Sequence, residues 1–171
     1  MHHAIHRWAA GAAFALVSLS SASSALAAPI SYKTESFEVA GVLQEAAGPE
    51  SRCPSQYGGT ITGHGSSALL GRLAYVATDC ITPSGPLFTF DKGQFIIMTT
   101  TGEQIYASYS GQFVPTGQGA QYIFSGATFQ INGGTGRFLL ASGGGSLQGN
   151  EDMLSGAGSL KLTGKIAYWS R

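Results

Sequence analysis

The feature that most constrains the fold of this chain is hydrophobic alternation at period two, cut at short intervals by glycine and proline. Near the C-terminus, Leu160, Leu162, Ile166 and Tyr168 fall on one side of an extended chain, while Lys161, Thr163 and Lys165 fall on the other. That spacing is a strand with a core face and a solvent face. Phe37, Val39 and Leu43 repeat it against Glu38 and Gln44, as do Leu73, Tyr75 and Ala77, and Ile105, Ala107, Tyr109 and Phe113. Between these runs lie turn signals: Pro83 to Pro86, Asp91 to Gly93, Thr101-Gly102, and Pro115 to Gly119. The spacing predicts strands over 34–44, 57–68, 69–82, 94–100, 103–114, 120–131 and 154–169, with a short extended piece at Phe88–Phe90. Residues 28–33 read as a loose leader and 45–56 as a loop. No stretch has the period of an amphipathic helix. About eight strands joined by short turns describe an antiparallel sandwich or barrel. A barrel removes exposed sheet edges.

The most distinctive stretch is 126–149, GATFQINGGTGRFLLASGGGSLQG. Phe129 and Ile131 alternate with polar residues, and Gly133, Gly134 and Gly136 then permit a tight reversal. Arg137-Phe138-Leu139-Leu140-Ala141 lacks alternation and predicts one short helical turn after GGTG. Gly143, Gly144 and Gly145 open a further strand and mark a bend, a bulge or close backbone approach. Arg137 is the one charged residue of the motif. Its guanidinium is expected to tie turn carbonyls or a carboxylate with Phe138 packed beneath, in preference to holding an anionic ligand.

GGTGRF followed by a glycine-rich strand resembles the bacterial exported relatives of the allene oxide cyclase and dirigent β-barrels. The segments GTITGHGSSALLGRLAY (59–75) and ATDC (77–80) resemble the same group, so the likeness covers roughly residues 57–150. The resemblance implies a single antiparallel, calycin-like β-barrel. The residues on which the plant enzymes' activity rests match no positions here, so the resemblance carries the fold and not the chemistry.

Residues 1–27 read as a secretory signal peptide: a basic start with Arg7, an apolar run from Trp8 to Leu19, and Ala25-Leu26-Ala27 as an A-x-A cleavage site. This leaves 28–171 as one barrel domain, exported to the periplasm or the medium. The run is shorter than the roughly 20 residues needed to span a bilayer, and no later run is long enough. Only 11% of the chain is charged, with nine basic and nine acidic residues. Nucleic-acid binding needs a basic footprint, so that class is set aside.

Cys53 and Cys80 are the two cysteines. An even count in an exported chain favours a disulfide; two free thiols or a nucleophilic cysteine are the alternatives. After the leader is removed, His64 is the one remaining histidine. No serine sits in a G-x-S-x-G elbow, and GGTGR lacks the phosphate-binding spacings. Glu151-Asp152 reads as a polar turn. No catalytic set, metal site or cofactor is expected. Tyr75, Tyr109, Phe113 and Phe129 are the candidate lining residues if the barrel is hollow, since ligand pockets are lined by the same aromatic types that fill cores. The favoured function is a non-enzymatic barrel that binds a small apolar or aromatic molecule, or a partner surface. The alternatives are a filled structural barrel and a cyclase- or dirigent-like enzyme acting by pocket shape. A hollow lumen with a buried carboxylate such as Asp79 or Glu103 near aromatics would favour the enzyme.

Overall fold

The computed structural model describes residues 31–170; the expected signal peptide at 1–27 lies outside them. Eight strands follow one another: β1 (Ser31–Pro49), β2 (Tyr57–Ser67), β3 (Gly71–Ser84), β4 (Leu87–Thr99), β5 (Gln104–Pro115), β6 (Gln121–Gly134), β7 (Ser142–Asp152) and β8 (Ala157–Ser170). Each pairs antiparallel with the next, and β8 pairs with β1, so the sheet is a closed up-and-down barrel. Among the described residues the single helical element is a 3-10 turn, Gly136–Phe138, directly after GGTG.

Besides β7, which takes in the expected Glu151-Asp152 turn, two elements differ from the sequence expectation. β1 begins at Ser31 and runs on to Pro49, taking in part of both the expected leader and the expected loop. It is held on both sides, by β8 over Ser31 to Gln44 and by β2 over Ala40 to Pro49, so tertiary pairing overrides weak local preference. Second, Asp91-Lys92-Gly93 is a bulge inside a continuous β4 rather than a turn. Phe90 pairs with Gly111 and Gly93 with Tyr109, leaving one extra residue on β4, and Lys92 takes a φ of 50°. The bulge restores parity, so Phe90 and Phe95 both point inward and are buried.

The inward faces form one continuous core from Phe37 and Val39 round to Ile166 and Tyr168. Aromatic rings dominate it: Phe95 and Tyr109 stand 4.5 Å apart, Phe90 and Phe113 4.7 Å, and Phe37 and Phe129 5.8 Å. Such rings need space on the neighbouring strand. Gly63 lies opposite Tyr75, and a Cβ there would overlap the Tyr75 ring. Gly93 gives Tyr109 the same room. Seated this way, the Tyr75 hydroxyl donates to the Val42 carbonyl at 2.7 Å.

Gly63→Ala should therefore displace the Tyr75 ring and lower the melting temperature, at a cost of about 1–3 kcal/mol typical of overpacking. Gly48→Ala, where an added Cβ meets nothing within 4 Å, should leave the melt unchanged. Thermal denaturation followed by circular dichroism compares the two; equal melts would refute the seating role.

Candidate carboxylate site in the barrel lumen

Strand parity brings three acids into the core at one end of the barrel. Glu45 follows Leu43 inward on β1, Asp79 follows Ala77 on β3, and Glu151 lies two steps beyond Gly149 on β7. All three are buried, with relative exposures of 6%, 0% and 2%. They share a small cavity with Tyr109, Phe90, Phe95, Phe113 and Phe124. The cavity volume is about 10 Å³, room for one water molecule.

The three carboxylates are not equally satisfied. Asp79 accepts from the Tyr109 hydroxyl at 2.9 Å and from the Gly59 backbone N–H at 3.2 Å. Gly59 is a glycine for a steric reason: a Cβ there would overlap Glu45 Oε1 and crowd Asp79 Oδ1. Glu45 Oε1, Glu45 Oε2 and Glu151 Oε2 have no fixed hydrogen-bond partner among the described residues. Three unfilled acceptors in one apolar chamber are costly unless protonated or given donors.

Burial pushes the Asp79 carboxyl up to about 7, assisted by the Glu45 charge and opposed by Tyr109, Gly59 and Arg52. Burial also raises Glu45 and Glu151. Glu45 is raised further by the Glu151 carboxylate beside it. Tyr109 is held well above the usual tyrosine range by burial and by the Asp79 charge. At neutral pH the chamber thus holds carboxyl groups in mixed protonation states, an arrangement able to accept hydrogen bonds or pass a proton.

The loop after β1 is latched at this end. Cys53 and Cys80 form a disulfide, Cα to Cα 5.3 Å, as their count and expected compartment suggested. Beside it, Arg52 Nη2 donates to the Asp79 carbonyl at 2.7 Å. The charge of the guanidinium favours the ionised form of Asp79.

Of the four expected lining residues, Tyr109 and Phe113 line this cavity, whereas Tyr75 and Phe129 are core residues outside its lining. Glu45 and Glu151 were missed by the sequence reading. Glu45 lies on the extended β1 rather than in a loop, and Glu151 belongs to β7 rather than to a turn. Continuing the alternation of Leu43 and Leu147 through them is the signal that finds both. The GGTGRF turn sits at the other end of the barrel. Gly133 and Gly136 take φ values of 128° and 58°, and a Cβ on Gly134 would overlap the Gln104 carbonyl. Arg137 pairs with Glu103 at 3.3 Å and lies over the Phe138 ring at 4.7 Å, while Phe138 packs 5.2 Å from Tyr168. Glu103 is therefore a turn carboxylate, remote from Asp79. His64 faces outward on β2 and is exposed.

Neither the protein-family models nor the curated proteins compared with this chain contain a match to it.

Two outcomes follow from this geometry. Reducing the Cys53–Cys80 bond, which closes a separation of 27 residues, should destabilise the barrel by about 3 kcal/mol in the chain-entropy picture. Denaturant melts with and without reductant measure it. Separately, an acid whose folded pKa is raised makes the fold bind protons more tightly than the unfolded chain. Stability from Asp79 is then fully present below the unfolded carboxylate value of about 4 and is lost as pH rises through about 7. Glu45 and Glu151 act in the same direction. The melting temperature should be higher near pH 5 than near pH 8 by roughly 5 °C or more, and Asp79→Asn should flatten the profile. A melt that rises with pH over this range would refute the burial argument.

Proposed function

We propose that this chain is an exported, non-enzymatic β-barrel that binds a small molecule at its disulfide-latched end, where Glu45, Asp79 and Glu151 meet the aromatic lumen. One observation carries the reading: three carboxylate oxygens without fixed partners, enclosed by phenylalanine and tyrosine rings. A barrel needing only stability gains nothing from such groups, since apolar side chains of similar volume would cost less. A ligand that donates hydrogen bonds there would relieve the cost. Export is supported by the disulfide and by the signal-peptide pattern at 1–27, and the absence of an apolar helix long enough to cross a membrane among the described residues is compatible with it.

The second reading is a filled structural barrel. The observation that favours it is the small void: about 10 Å³ admits no apolar ligand unless side chains at the mouth move. Native mass spectrometry on protein purified from its export compartment separates the two readings. An additional mass that is lost on denaturation is expected. A bare native mass, together with no change in the melt across a panel of small hydrogen-bond donors, would overturn binding in favour of the structural barrel.

A further inference from the structure

The unsatisfied oxygens also indicate the ligand's chemical class. The walls supply acceptors and aromatic faces, and almost no donors. Glu45 contributes two free oxygens and Glu151 one, while the Asp79 oxygens already accept from Tyr109 and Gly59. A group with three donors and a positive charge matches three free acceptors. Phe90, Phe95, Phe113 and Phe124 present rings round the same space, and ring faces attract cations. No set of acidic, histidine or cysteine side chains placed to hold a metal ion occurs among the described residues. A compact head is also the size that fits: the cavity accommodates one water-sized group.

We propose that the carboxylate chamber formed by Glu45, Asp79 and Glu151 is a binding site for a primary ammonium group, either free ammonium or the –NH₃⁺ end of a small alkylamine. This inference rests on the reading of that end as a binding site. The head hydrogen-bonds to Glu45 and Glu151. An alkyl stem runs past Phe124 toward Met153; both are only partly buried and are free to give way more readily than the closed core below.

The charged and titratable groups facing the chamber set how binding responds to pH. β1 supplies Glu45, β3 Asp79, β5 Tyr109 and β7 Glu151, with Asp152 next to it at the surface; the loop after β1 supplies Arg52. The lining residues from β2, β4, β6 and β8 are uncharged: Ile61, Phe90 with Phe95, Phe124 and Leu160. Protons therefore compete with the ammonium group for the same oxygens, and affinity should rise with pH between about 5 and 8.

The test is titration of the intact exported protein with ammonium chloride and n-butylammonium chloride. Potassium chloride and n-butanol serve as controls, and the readouts are thermal shift and isothermal calorimetry. Saturable stabilisation by ammonium or by n-butylammonium near pH 8, weakened at least tenfold near pH 5, is expected; whichever salt binds more tightly distinguishes a free ion from an amine terminus. Glu45→Gln with Glu151→Gln should lose the effect at least tenfold while folding normally, which circular dichroism checks. Potassium acting as well as ammonium overturns the inference. So does n-butanol binding as tightly as n-butylammonium, although the small-molecule reading then survives. If the double variant misfolds, chemical-shift changes of the Phe90, Phe113 and Phe124 rings in the native protein on adding n-butylammonium decide; unmoved rings overturn the inference.

Discussion

The pairing of β1 with β8, Ser31 against Ser170 through to Gln44 against Ala157, closes the sheet, and the interior depends on that closure. An open eight-strand sheet would leave two edges and one half-covered face. Closing it gives every inward side chain the same enclosed surroundings, however far apart the residues lie in the chain. Parity then becomes absolute: each residue is either in the lumen or on the outer wall. The bulge at Asp91-Lys92 matters for the same reason. Without the extra residue, Phe90 and Phe95 could not both point inward, and the aromatic wall beside Asp79 would be broken.

Closure also explains why the two ends differ. At the GGTGRF end, charge is spent in pairs near solvent. Arg137 meets Glu103 and covers Phe138, and Lys33 meets Glu35 at 2.7 Å. Such half-exposed pairs contribute little on their own, and Arg137 Nε lies within ion-pair distance of Glu103 without a formed hydrogen bond. At the disulfide-latched end the balance is reversed. Acids are enclosed without matching cations inside, and Arg52 at the rim bonds to the Asp79 carbonyl rather than to its carboxylate. Gly59 removes a side chain to make room for two of the carboxylates, so the backbone itself is adapted to hold them.

Much of the fold was legible because its signals are local. Turn glycines, strand alternation and the helical turn after GGTG all depend on near neighbours, and the structure shows each of them. The bulge was not legible: Asp91-Lys92-Gly93 has turn chemistry, and only pairing with Gly111 and Tyr109 on β5 holds it inside a strand. The site was half legible. Asp79, Tyr109 and Phe113 stood out as a carboxylate and aromatics on strands. Glu45 and Glu151 did not, because an acid two or three residues from a glycine is usually solvated, and nothing local shows that the strand continues past it.

The sequence by itself determined which side chains share a face along most strands, most of the places where the chain reverses, and a low, balanced charge. These follow from backbone geometry and net charge, which are properties of short stretches. Only the tertiary structure decided that acids 34 and 72 positions from Asp79, Glu45 and Glu151 respectively, meet in one chamber with too few donors. That outcome depends on strand register around a closed barrel, where a one-residue slip of β1, β3 or β7 would have turned an acid out to water.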